Sequence, residues 1–147
     1  MYAELIVDEN GVHVVPDLVK LVIRTKGVEK VCLITDSMAS KEKYLNCQED
    51  GIYYGPDLNY DYRGWLAGSR MTLENACRNV MKHTGYGLCH AIRMESLNPA
   101  KLLGIDHKVG SIEPGKKANL IIIDDTVRIK SVILEGELAV QDDELLI

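Results

Sequence analysis

One short apolar run that stops on a carboxylate constrains this chain more than any other feature. Val31-Cys32-Leu33-Ile34-Thr35 is rich in β-branched side chains, and Asp36-Ser37-Met38 follows at once. Such a run reads as a buried strand of a parallel sheet. In open α/β sheets and barrels, reacting groups gather at the carboxyl ends of the strands. Asp36 therefore stands where a catalytic side chain is expected. The competing reading is a turn residue or helix cap.

The segment before it completes a unit. Ala3 to Val7 is a second apolar run, closed by the turn signal Asp8-Glu9-Asn10-Gly11. Pro16 suits a first helical turn, and Asp17 favours its positive end. Leu18, Leu21, Val22 and Thr25 recur at helical spacing, and Gly27 is a natural stop. Strand, helix and strand make a βαβ unit with parallel pairing. Its two carboxyl ends lie on one sheet edge, so His13 and Asp36 are expected to face one pocket. A surface histidine is the competing reading for His13.

Composition narrows the partners. The net charge of -5 argues against a phosphate-backbone ligand. No stretch approaches the roughly 18 apolar residues of a membrane span. Met1-Tyr2-Ala3-Glu4 lacks the basic start of a secretory signal, so a cytoplasmic location is expected. Cys32, Cys47, Cys77 and Cys89 show no C-x-x-C spacing and read as reduced thiols. His13, His83, His90 and His107 fall into no metal-binding pattern.

The remaining chain divides in two. Gly51–Gly55 and Leu58–Tyr62 predict a hairpin around Pro56-Asp57, in a stretch that holds five of the seven tyrosines and the single tryptophan. This is either a lid over the site or a packing platform. Leu66-Ala67-Gly68-Ser69 follows, and Gly68 permits close backbone approach. Thr72 caps a helix that runs to about His83, with Leu73, Ala76, Cys77 and Val80 on one face. His83 sits in its last turn, where the helix dipole favours a cation. Helices are expected over Leu88–Ser96 and from Pro99, with His90 facing solvent. Three short β runs then form a tail: Asn119–Ile123, Lys130–Leu134 and Glu137–Val140. Gly110 and Gly115 open no helix and form no phosphate loop.

Ser96-Leu97-Asn98-Pro99-Ala100-Lys101-Leu102-Leu103-Gly104, followed by Gly110-Ser111-Ile112-Glu113-Pro114-Gly115-Lys116-Lys117-Ala118-Asn119-Leu120, resembles the C-terminal signature of the amidohydrolase superfamily. Gly11–Val14, Leu33–Met38 and Leu66–Thr72 occur in an order and spacing similar to the N-acetylglucosamine-6-phosphate deacetylase family. The resemblance implies an α/β fold: the last two strands and helices of a (β/α)8 barrel over 1–104, with a hairpin-containing insertion at about 44–64, then part of a small β domain over 105–147. It implies Asp36 as the catalytic acid/base. It implies His13 as a substrate contact and Leu66, Ala67 and Gly68 as a loop touching an amino-sugar phosphate.

The family's divalent metal, commonly zinc, is held by residues on earlier strands. By the resemblance no metal is expected on this chain alone, and the isolated chain is expected to be inactive. Open strand edges predict a homo-oligomer or a complementing chain. A non-catalytic module and a dihydroorotase-like hydrolase are the alternatives.

Overall fold

A computed structural model describes residues 1–38, 52–54, 58–61, 63–142 and 144–146. The expected turn at Pro56-Asp57, Cys47, Tyr44 and Tyr62 lie outside the described residues.

The βαβ unit forms as its sequence pattern requires. Strand β1 (Ala3–Ile6) pairs in parallel with β2 (Val31–Ile34), from Ala3 opposite Val31 to Ile6 opposite Ile34. Helix α1 (Pro16–Lys26) connects them; Pro16 opens it, and Gly27 ends it with φ of 82°. The buried face of α1 differs from the expected one. Val19 and Ile23 are buried, whereas Leu18 and Leu21 are 46% and 56% exposed. The helix carries two apolar stripes, and only packing against β1, β2 and the next helix decides which is covered.

Helix α2 (Leu73–Thr84) starts at the Thr72 cap, whose Oγ1 accepts from the Asn75 amide at 3.2 Å. It buries Ala76, Cys77 and Val80 and stops at Gly85 in the left-handed region; Leu73, expected on that face, is exposed. Helix α3 (Leu88–Glu95) follows, with Ala91 and Met94 buried, and then α4 (Leu97–Leu102). Helix α4 begins two residues before Pro99, because a proline fits anywhere in a first turn that needs no amide donor. Buried Asn98 donates through Nδ2 to the carbonyls of Val28 (2.7 Å) and Val31 (2.6 Å), pinning α4 to the start of β2. The core lies between the helices and the face of the parallel pair that carries Leu5, Val7, Val31 and Leu33.

Two antiparallel sheets complete the structure. Strands β3 (Ile52–Tyr54) and β4 (Leu58–Asp61) pair as the expected hairpin, and β5 (Leu66–Ser69) adds to β4. The tail is a meander of β6 (Leu120–Ile123), β7 (Ile129–Leu134), β8 (Glu137–Gln141) and β9 (Glu144–Leu145). The ninth strand is only two residues long, at the start of the short apolar end Leu145-Leu146-Ile147. It forms because Glu144 and Leu145 reach the free edge of β8.

Candidate functional site

Asp36 stands exposed two residues beyond the end of β2, with a left-handed backbone (φ 50°). Few residues other than glycine adopt that region, and aspartate is among those that tolerate it. The turn is held from outside. The Ser69 amide donates to the Asp36 carbonyl at 2.8 Å, and the Met38 amide donates to the Ser69 carbonyl at 2.9 Å. Ser69 Oγ donates to the Thr35 carbonyl and accepts from the Met71 amide at 3.1 Å. Asn59 Nδ2, fully buried, donates to the same Ser69 carbonyl at 2.9 Å.

Leu66, Ala67 and Gly68 are therefore a strand, not the loop the resemblance implies. They belong to β5, which pairs with β4, and its last residue, Ser69, carries the backbone bonds to the Asp36–Met38 turn. Gly68 has φ of 77°, and a Cβ there would lie 2.7 Å from Met38 Cγ and 3.0 Å from the Asp36 carbonyl oxygen. The structure thus joins Gly68 to Asp36. Leu66 pairs with Tyr60 at the far end of β5 and is 40% exposed.

His13 follows β1 on the neighbouring strand, and its partner is Asp8 rather than Asp36. The Asp8 carboxylate lies 3.2 Å from His13 Nδ1 and is 1% exposed. It also accepts from the amides of Asn10 (3.1 Å), Val12 (2.9 Å) and His13 (2.8 Å). Burial pushes the Asp8 pKa up. The Val12 and His13 amides, and the hydrogen bond and charge of the His13 ring, outweigh that and hold it below the usual carboxylate range. Sequence reading takes Asp8 only as a turn signal. Asp8 and Asp36 each stand two residues beyond the paired ends Ile6 and Ile34, a correspondence that only the strand register brings out.

Other histidines take structural places. His83 Nε2 donates to the Asp8 carbonyl at 3.1 Å, so a backbone contact fixes it rather than the dipole alone. His90 is exposed and meets Tyr86 edge-on, with ring centroids 5.5 Å apart. An open depression of about 340 Å³, lined by Glu9, Met71, Asn75, Arg78, Asn79 and Lys82, holds none of the residues nominated from sequence. Its cations are committed: Arg78 to Glu74 and the Val127 carbonyl, Lys82 to Glu9. The strand ends, not this depression, carry the candidate chemistry.

Three or more His, Cys, Asp or Glu side chains placed to hold a metal are not found among the described residues. Asp8 already accepts from four donors, and His13 Nδ1 is engaged, so neither offers a ready ligand atom on that side. The described residues do not make a metal site by themselves. No helix among the described residues is long and apolar enough to cross a membrane.

This architecture has clear relatives. Residues 4–139 match the amidohydrolase family. The chain is 34% identical over 142 residues to an Escherichia coli K12 protein provisionally named as an N-acetylgalactosamine-6-phosphate deacetylase, covering 94% of this chain and 83% of that one. It is 31% identical to the N-acetylglucosamine-6-phosphate deacetylase of Haemophilus influenzae, covering 93% of this chain and 36% of the relative. The crystal structure of N-acetylglucosamine-6-phosphate deacetylase from Pasteurella multocida superposes with a TM-score of 0.84 at 32% identity, covering 94% of this chain and 36% of that structure. The chain belongs to the amidohydrolase family, within its branch of amino-sugar-phosphate deacetylases. It spans little more than a third of the Haemophilus and Pasteurella proteins. Members of this family generally work with a divalent metal.

Proposed function

We propose that this chain supplies the carboxyl-terminal part of an amino-sugar-phosphate deacetylase. Residues 1–104 form the last two strand–helix units of a (β/α)8 barrel, with an insertion at about 44–64, and 105–147 form part of a small β domain. The substrate is an N-acetylhexosamine 6-phosphate, and the products are acetate and the free amine. Zinc or a similar ion belongs to the intact enzyme, on ligands from the rest of the barrel. The chain alone does not turn over.

The observation that supports this best is the exposed Asp36 carboxylate, held on a left-handed turn at a strand end and buttressed by β5. Amide hydrolysis needs a group that takes a proton from water and returns one to the departing amine. Asp36 performs both transfers. His13 presents its ring toward the substrate from the adjacent strand, and Leu66, Ala67 and Gly68 border it.

The test is a chimera in which this chain replaces the matching part of the Haemophilus deacetylase. It should release acetate from N-acetylglucosamine 6-phosphate. Asp36→Asn should lower turnover by about 10²–10⁴-fold with the fold intact. Near-normal turnover of that variant removes Asp36 from the mechanism. Acetate release by the isolated chain, lost in Asp36→Asn, would overturn the proposal that the rest of the barrel is required.

A further inference from the structure

The segment after β1 is held by more contacts than a turn needs. One face of α2 grips three consecutive residues. Asn79 Nδ2 donates to the Val7 carbonyl at 2.9 Å, His83 Nε2 donates to the Asp8 carbonyl at 3.1 Å, and Lys82 Nζ reaches Glu9 at 3.1 Å. Positions 79, 82 and 83 are three and four residues apart, so they project on one side of the helix. The backbone of Asp8 is thereby fixed from behind.

In front, each Asp8 oxygen meets two donors. Oδ1 accepts from the Asn10 and Val12 amides, and Oδ2 from the His13 amide and ring. An ionised carboxylate has no proton to give, so the hydrogen bond to His13 requires the proton on Nδ1. The His13 side chain is 9% exposed, and its Nε2 is buried without a partner among the described residues. A buried polar atom left unpaired costs stability unless something else meets it.

We propose that Asp8 is the positioning residue of His13: it fixes the ring with Nδ1 protonated and leaves Nε2 as the atom offered to a ligand, with Asn79 and His83 bracing Asp8 from α2. The functional half of this inference rests on the reading of His13 as a substrate contact. Replacement by asparagine cannot preserve the arrangement. An amide has one acceptor oxygen, and its NH₂ group would face donors that the second carboxylate oxygen now satisfies.

The experiment is ¹⁵N NMR of the histidine rings in the full chain and in the chimera. Wild type should show a His13 Nδ1 proton protected from solvent exchange. Asp8→Asn should lose that proton signal, while exposed His107 stays unchanged. His83→Ala should keep it but exchange about tenfold faster, and His83→Gln, which still donates, should restore protection. An unprotonated Nδ1 in wild type, or an intact signal in Asp8→Asn, overturns the proposal. Should Asp8→Asn fail to fold, an exchange rate unchanged in His83→Ala overturns it equally. Titrating N-acetylglucosamine 6-phosphate into the chimera reads the other premise. A His13 ring signal unmoved by saturating sugar phosphate defeats the substrate-contact reading, whereas a wrong tautomer defeats only the positioning role.

Discussion

Glu95 ends α3 half-buried, with Oε1 buried and without a partner among the described residues. Burial pushes its carboxyl up to about 8. In the unfolded chain it titrates near 4.5, so between these values the folded state holds the extra proton. Stability is fully present below about 4.5, falls as pH rises, and levels off above about 8. Urea titrations across this window should show that decline, and Glu95→Gln should flatten it. A wild-type profile that is level or rising between pH 5 and 8 would contradict this environment for Glu95. Gly68 offers a second test. Its φ and the Met38 contact leave no room for a methyl, so Gly68→Ala should cost about 1–3 kcal/mol and displace the Asp36 turn. An unchanged urea midpoint would count against the buttress. At this scale the residue type of Asp36 and its place after an apolar run were readable. Asp8 was not, because a turn signal and a carboxylate that gathers amides look alike in sequence.

The βαβ unit and helix α2 formed where period and caps indicated, since both are local. Thr72→Ala should lose about 1 kcal/mol of thermal stability with the Asn75 amide uncapped. Contacts between elements follow no such rule. Asn98 joins α4 to the start of β2 across nearly 70 residues, and its two donations have no sequence signature. Asn98→Ala leaves two carbonyls short of donors and should destabilise by about 1–3 kcal/mol. Asn98→Asp should not rescue it, because an ionised carboxylate accepts and cannot donate. Rescue by aspartate would show that the contact does not matter. The exposed Leu18–Leu21 stripe teaches the same lesson from the other side. Periodicity finds an apolar stripe, and only a neighbour determines whether it is covered.

As a whole, the molecule has a two-stranded parallel sheet whose outer edges are unpaired among the described residues. Ile121 and Ile122 of β6, a terminal strand of its sheet, are more than half exposed. Bare edges and apolar faces are templates for another chain. The full chain should associate, with a sedimentation coefficient that rises with concentration. A monomer at tens of micromolar whose β1 and β2 edge amides exchange slowly would refute this.

The sequence by itself determined the α/β class, the βαβ unit, the limits of α1 and α2 and the strand end that bears Asp36, because apolar period, proline, glycine and caps act within a few residues. Tertiary structure alone decided three things: that β5 buttresses Asp36, that Asn98 ties α4 to the start of β2, and that α2 holds Asp8 in place. Each is a hydrogen bond between residues brought near by packing, and packing is a property of surfaces that meet rather than of neighbours along the chain.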